Sequence, residues 1–340
     1  MSFTHDKREQ LLVKEHFILT HGGSINDVVK RLNVSKQTAY NYLKTLIDNG
    51  YLKKEAGKYK TVGAQQYEKK VILAGLDESD VYMEWARNKI IVPKNVEQIC
   101  QHGFTEILNN AIDHSGSKEA IISIINDFSS IKIIIADAGI GIFEKIRKEK
   151  GLSMLHHAII ELDKGKVTTD SVRHSGEGIF FTSKMFDQFM ILANGLIYRA
   201  KSEYDYQLLN EDKELENLSG TEVFMDICKA SAKTVKEIFD QYALDNNDFQ
   251  FCKTVVPVIH LLDRRNEDTM SLVSRSQAKR LLNGFEKFKV VMLDFSGIES
   301  IGQAFADEIF RVYPNLHKDV AITYENANAQ VEHMIKHVMR

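Results

Sequence analysis

Residues 104–115 read FTEILNNAIDHS, and residues 137–141 read DAGIG. In the first stretch Glu106, Asn110 and His114 recur at i, i+4 and i+8, so a helix carries all three on one face. A carboxylate and an amide one turn apart suit phosphoryl transfer. The carboxylate can orient or deprotonate a nucleophile, and the amide oxygen can ligate Mg²⁺. A plain polar helix surface would show the same spacing. In the second stretch Asp137 follows the Ile-rich run IKIII at 131–135, which reads as a strand. An Asp at a strand end can accept a hydrogen bond from the amino group of adenine, and Gly139 and Gly141 let backbone pass close to a base. An ordinary turn can carry the same letters.

Two more stretches follow in order. RHSGEGIFF at 173–181 places Gly176 and Gly178 before a helix, where exposed backbone N–H groups cradle phosphates. SGTEVFMDI at 219–227 enters a strand through Gly220 and Thr221, and the Thr221 hydroxyl could bond a base edge directly or through water. Around them, helices are expected at 95–114, 142–149, 153–163, 177–187 and 231–242. Strands are expected at 120–126, 131–137, 188–193, 196–200, 205–210 and 220–227. The acidic stretch 203–216 reads as a solvated hairpin.

In this order the four stretches resemble the N, G1, G2 and G3 boxes of the GHKL ATPase/kinase superfamily, the Bergerat fold. The resemblance covers residues 96–242 and implies an α/β sandwich holding ATP between its helices and a flexible lid at about 143–175. It implies Glu106 as catalytic base, Asn110 as Mg²⁺ ligand and Asp137 as adenine reader. Gly139, Gly141, Gly176 and Gly178 would be hinges and phosphate contacts. His114 ends the helix as it does in the anti-sigma-factor serine kinases. GEGIF has fewer glycines than the fuller forms of its box. No phosphoacceptor histidine segment precedes residue 104, so an orthodox sensor histidine kinase is not expected. His102 reads as a packing or surface residue. The adjacent pair His156 and His157 cannot both face one metal from a single helix face.

The chain has 340 residues, which at roughly 100–200 residues per domain predicts two or three domains. Its formal net charge is −3. That average conceals a split. Residues 1–62 hold eleven Lys/Arg against six Asp/Glu, a local charge of +5 that leaves −8 for the rest. Ser24 caps SINDVVKRL with Asp27 three residues on, and Ser35 caps KQTAYNYLKTLID. Gly50 ends that helix, and YLKKEAGKYKTV reads as a hairpin. With a further helix in 8–20, this is the order of a winged helix-turn-helix. The stretch VSKQTAYNYLKTLIDNGYL resembles winged helix domains of bacterial transcription regulators. Lys36, Gln37, Thr38, Tyr40, Asn41 and Lys44 would face a major groove, with Val34, Ala39, Leu43 and Leu46 inward. Lys53, Lys54, Lys58 and Lys60 on the wing would meet phosphates. A domain of this kind could instead serve protein contacts alone.

The third unit resembles STAS-like domains of the type fused to GHKL domains, through LVSRSQAKRLL at 272–282 and LDFSGIESIGQAFADEIFRV at 293–312. STAS antagonists of anti-sigma factors carry an acceptor serine where this chain reads Ile301-Gly302-Gln303-Ala304-Phe305, with no hydroxyl. Ser300 and Ser296 lie nearby. An interaction or dimerisation module is the favoured reading, with Arg275, Arg280, Asp307 and Glu308 as interface or fold-stabilising charges.

The fold expected is therefore α+β and multidomain. Residues 1–65 form a winged helix, 66–95 a helical linker broken at Pro93, 96–242 a Bergerat-fold ATPase unit, and 250–340 a small α/β STAS-like unit. The function expected is an ATP-binding, DNA-binding transcriptional regulator that uses ATP and Mg²⁺. The alternative is a protein serine/threonine kinase of the anti-sigma-factor type in a partner-switching pathway. A scaffold with a vestigial site is a third reading, against which the joint presence of Glu106, Asn110, Asp137 and the glycine pairs argues. Partners expected are DNA, ATP, a protein at the STAS-like unit and a second copy of the chain. Cys100, Cys228 and Cys252 form no CxxC pair, and no apolar run reaches the roughly 18 residues of a membrane span. A cytoplasmic protein with no membrane partner is the expectation.

Overall fold

The structure, a computed structural model, describes residues 24–32, 35–48, 52–61, 64–127, 129–166, 176–200, 219–243, 251–262 and 272–340. The expected helix in 8–20, Gly50, residues 173–175 of RHSGEGIFF, and the strand and acidic hairpin within 203–216 lie outside these residues.

The N-terminal elements are α1 (Ile25–Leu32), α2 (Lys36–Asp48) and the antiparallel hairpin β1 (Leu52–Glu55) with β2 (Lys58–Thr61). Both expected caps form. The Ser24 N–H donates to Asp27 Oδ2 at 2.7 Å, and the Thr38 N–H donates to Ser35 Oγ at 3.1 Å. Val28, Ala39, Leu43, Leu52 and Tyr59 are buried. Lys36, Gln37, Tyr40, Asn41 and Lys44 are exposed on α2, Thr38 is half-buried, and Lys53, Lys54 and Lys58 are exposed on the hairpin. Of the hairpin lysines, Lys53 is ion-paired with Glu55 and Lys54 lies over the Tyr59 ring.

Residues 63–95, expected to be mostly helical, differ. Their first part is a strand, β3 (Gln65–Ile72), paired antiparallel to β4 (Glu119–Asn126) along its whole length. QQYEKKVI is rich in Gln, Glu and Lys, which favour helices. The residues turned inward are Tyr67, Lys69 and Val71, while Gln66, Glu68, Lys70 and Ile72 face solvent. Charged residues on the outward side are how a sheet edge resists pairing with another chain, and here they hid a strand. The short helix α3 (Glu78–Val81) and helical turns at Tyr82–Ala86 and Arg87–Lys89 follow.

The central sheet runs β3-β4-β5-β8-β6-β7, with β5 (Ser130–Asp137), β6 (Gln188–Ala193), β7 (Leu196–Ala200) and β8 (Thr221–Cys228), all neighbours antiparallel. Alternation fixes its inner face: Ile122 and Ile124, then Ile131, Ile133 and Ile135, then Val223, Met225 and Ile227 are buried. Against that face lies α4 (Lys94–His114), whose Val96, Ile99, Cys100, Phe104, Ile107, Leu108 and Ala111 recur at helical spacing and are buried. The helical layer also holds α5 (Ile142–Glu149), α6 (His157–Lys164), α7 (Gly178–Met185) and α8 (Val235–Tyr242). Thr234 and Glu237 cap α8 reciprocally.

The C-terminal unit is a parallel sheet in the order β11-β10-β9, from β9 (Lys253–Pro257), β10 (Val290–Asp294) and β11 (Ala321–Glu325). Helices α9 (Arg275–Leu282), α10 (Gln303–Asp307), α11 (Tyr313–Leu316) and α12 (Ala329–Val338) cover it. A wider turn at Glu308–Val312 joins α10 to α11, and the apolar run TVVPVIHLL at 254–262 is a strand only as far as Pro257, giving way to a helical turn at Val258–Leu261. The chain is thus α+β with several sheets. No helix among the described residues is long and apolar enough to cross a membrane.

Candidate functional site

A cavity of about 300 Å³ opens between α4, the ends of β5 and β8, α5, α6 and the start of α7. Its walls include Glu106, Asn110, His114, Asp137, Gly141, Gly176, Gly178 and Thr221. Four separate stretches of sequence therefore converge on one space. Strand register achieves part of this. Asp137 lies opposite Thr221, and Thr221 lies opposite Ala193, so three strands end at one level.

Asp137 lines the cavity from the last position of β5. Its Oδ1 accepts the Gly139 N–H at 2.8 Å. Burial raises the carboxyl above the usual aspartate range, while backbone N–H groups of Gly139 and Thr221 pull it the other way. Thr221 Oγ1 accepts the Ile142 N–H at 3.0 Å, fixing the start of α5. The Asn110 amide donates to Glu106 O at 2.8 Å, which leaves Oδ1 as its acceptor for a cation. The Glu106 carboxylate lies against the first residue of α7. A Cβ on Gly178 would come within 1.9 Å of Glu106 Oε2, so only glycine admits the carboxylate at that helix N-terminus, where the helix dipole favours negative charge.

Gly139 is the expected site residue that does not line the cavity. It sits behind the wall, where a Cβ would fall 2.0 Å from Ser115 O. Ser115 ties this loop to α4. Its carbonyl accepts the Ile140 N–H at 3.0 Å, and its hydroxyl donates to Ala111 O at 2.6 Å.

Sequence reasoning missed Lys145 and Asn194. Lys145 lines the cavity from α5, four residues after Gly141, and its Nζ lies 3.5 Å from Glu149. Carrying helical spacing past DAGIG would have found it. Asn194 stands at φ 52 beside Gly195 at φ 75, an Asn-Gly hairpin turn between β6 and β7. Its side chain accepts the Glu144 N–H at 3.1 Å and donates to Ile140 O at 3.0 Å, pinning the wall from across the sheet. An NG pair signals the turn but not the distant contact. The apolar wall from Ile142, Ile146, Leu162 and Phe180 was likewise unassigned.

Of the other histidines, His102 packs edge-on against the Phe239 ring, and burial lowers its pKa to about 4. His156 and His157 are both buried, with ring centroids 4.3 Å apart. In the C-terminal unit Asp307 bonds Arg275 at 3.3 Å and also pairs with Arg311, while Arg280 reaches out to His157. Ser296 Oγ donates to Asp294 Oδ1 at 2.7 Å.

Residues 277–332 match the model of a family described as STAS-like domain of unknown function (DUF4325). The C-terminal unit therefore carries a STAS-like domain. No curated protein matches the chain.

Proposed function

We propose that the chain is an ATP-binding, DNA-binding transcriptional regulator, in which a GHKL-type nucleotide site of Bergerat fold controls a winged helix and the STAS-like domain. The observation that carries this is the convergence of Glu106, Asn110, His114, Asp137, Gly141, Gly176, Gly178 and Thr221 on one cavity. A nucleotide suits the residues present. The volume is that of a small-molecule site, with apolar walls and a few convergent polar groups. A half-buried carboxylate, Asp137, lines it, as does Gly178, a glycine whose place a side chain would fill.

In this reading Asp137 accepts a hydrogen bond from the adenine amino group and Thr221 Oγ1 bonds the base edge. Ile142 and Ile146 cover the ring, and Lys145 and the N-terminus of α7 meet phosphate oxygens. Asn110 Oδ1 holds Mg²⁺. ATP supplies the phosphoryl group, and Glu106 orients or deprotonates the nucleophile. The exposed face of α2, with Lys36, Gln37, Tyr40, Asn41 and Lys44, supports DNA reading, as do Lys54 and Lys58 on the hairpin.

A second reading, a protein serine/threonine kinase of the anti-sigma-factor type, draws on the Glu106 carboxylate beside Asn110 in the cavity. Labelled ATP and cell extract separate the two: transfer to a protein that is lost in Glu106→Gln favours the kinase. The nucleotide reading itself is tested by calorimetric titration with Mg-ATP. Wild type should bind, and Asp137→Asn should bind at least tenfold more weakly. Equal binding by both removes the adenine assignment.

A further inference from the structure

Helix α6 reads HAIIELDK, and every one of its residues is buried, including Glu161, Asp163 and Lys164. Burying four ionisable groups, His157 among them, on one short helix is costly unless they find partners. Most of those partners belong to the STAS-like unit or to the strand that feeds it. Lys164 Nζ has three donors, and all three are used. One goes to Glu161 at 2.6 Å, one to Arg280 O at 3.2 Å and one to Asn283 O at 2.8 Å. The last two are carbonyls at the C-terminus of α9, which its own helix leaves without a donor and where a cation is favoured. Burial pushes the Lys164 ammonium down from the usual lysine range while Glu161 opposes the shift.

The bonding is reciprocal. Thr254 Oγ1 of β9 donates to Lys164 O at 2.8 Å, capping α6 in turn. Arg280 donates to His157 Nε2 at 2.9 Å, at the other end of α6, and Asp163 pairs with His260. Just past the helix, Lys166 donates to Lys287 O at 3.1 Å and lies over the Phe251 and Phe288 rings. Between these ties, Leu162 of the same helix forms a wall of the cavity. Helix α6 is therefore held on one side by the STAS-like unit and faces the cavity on the other.

We propose that the STAS-like unit acts in cis as a clamp on the nucleotide site: through Lys164 and Arg280 it holds α6 where Leu162 completes the cavity wall, so that nucleotide binding and docking of the STAS-like unit stabilise each other. This rests on the nucleotide reading above. Lys164 and Arg280 are positioning residues in this scheme. The coupling is thermodynamic and runs both ways. Whatever loosens the clamp weakens nucleotide binding, and nucleotide tightens the clamp by the same factor. A partner that seized α9 would empty the site.

The test uses the full chain with Mg-ADP as probe. Calorimetry measures affinity for wild type, Lys164→Met, Arg280→Met and a control, Lys336→Ala, whose exposed side chain pairs with Glu332 on α12. Amide exchange over residues 275–283 is followed with and without Mg-ADP. The clamp predicts at least about a fivefold loss of affinity in Lys164→Met and Arg280→Met, the range of ordinary allosteric couplings, and none in Lys336→Ala. It also predicts slower exchange at 275–283 when Mg-ADP binds wild type, which a merely structural lysine would not produce. Arg280 is partly exposed, so its variant carries the test should Lys164→Met fail to fold. Unchanged affinity in Arg280→Met with unchanged exchange overturns the clamp while leaving the nucleotide site standing. A gain of affinity overturns it too, since α6 would then be held away from its productive position. Failure of wild type to bind Mg-ADP is a different result and overturns the nucleotide reading together with the clamp.

Discussion

Replacing Gly139 by alanine puts a methyl group 2.0 Å from Ser115 O, where ordinary contact begins at 3.4 Å. Backbone must therefore move by about 1.4 Å, and neither side is loose. Ser115 O already accepts the Ile140 N–H at 3.0 Å, the Ser115 hydroxyl is bonded to Ala111 O at 2.6 Å, and Gly139 N–H is bonded to Asp137 at 2.8 Å. Losing a neutral bond costs about 1 kcal/mol, and losing one to a charged group about 1.5–3 kcal/mol. The expected loss is about 2–4 kcal/mol, in the range of core overpacking. Trp85, the single tryptophan, lies beside the central sheet with Lys69 over its ring and reports unfolding of that unit. With a urea slope of about 2 kcal/mol per molar, the midpoint should fall by about 1–2 M. Gly178→Ala is the comparison. Its new methyl meets the far end of the Glu106 side chain, which can swing aside, so stability should change by about 1 kcal/mol or less while the site is disturbed. A Gly139→Ala loss under about 0.5 kcal/mol, or one no larger than that of Gly178→Ala, would refute the backbone-clash reasoning.

Lys229 is buried against Asn126 at 2.5 Å, and burial lowers its pKa to about 8 from the ordinary 10.5. A cation depressed by folding releases its proton more readily in the native state, so the stability of wild type relative to Lys229→Met should rise as pH climbs from about 8 towards 10.5, read by urea unfolding at each pH. Asp137 is shifted the other way. Its neutral form is favoured by folding, so that contribution is complete below the ordinary aspartate value of 3.8 and lost as pH rises through the raised folded value. In the proposed adenine contact Asp137 accepts as the ionised form, so Mg-ATP affinity should fall as pH drops through the same window in wild type and stay flatter in Asp137→Asn. Lys54→Ala and Lys58→Ala should weaken DNA binding equally across sequences, and each should reduce the salt slope by about 1 in a fluorescence anisotropy titration. Unaltered slopes would take the hairpin out of the DNA interface.

The strands 119–126, 130–137, 188–193, 196–200 and 221–228 were legible because alternating Ile, Val and Phe leave one face nowhere to go but inward. Helix 94–114 was legible from its apolar stripe, and the capping residues of α1 and α2 from local chemistry. β3 was not, because an edge strand defends itself with Lys and Glu, the residues a helix prefers. α12, capped by Asn328, was also passed over.

The sequence alone marked most of the polar residues and glycines that line the cavity, but not Lys145 or the apolar wall, and it counted Gly139, which stands behind that wall. Glu106, Asn110 and His114 share a helix face whatever surrounds them, and the glycines and Asp137 mark strand and helix ends by local rules. Only the tertiary structure decided what holds that cavity in shape. Asn194 reaches Ile140 across the sheet, Gly139 is wedged behind the wall, and Lys164 finds Arg280 and Asn283 more than a hundred positions away. Those contacts are invisible to periodicity because they depend on which elements become neighbours. A buried charge reveals its partner only once the fold has removed the water that would otherwise have served.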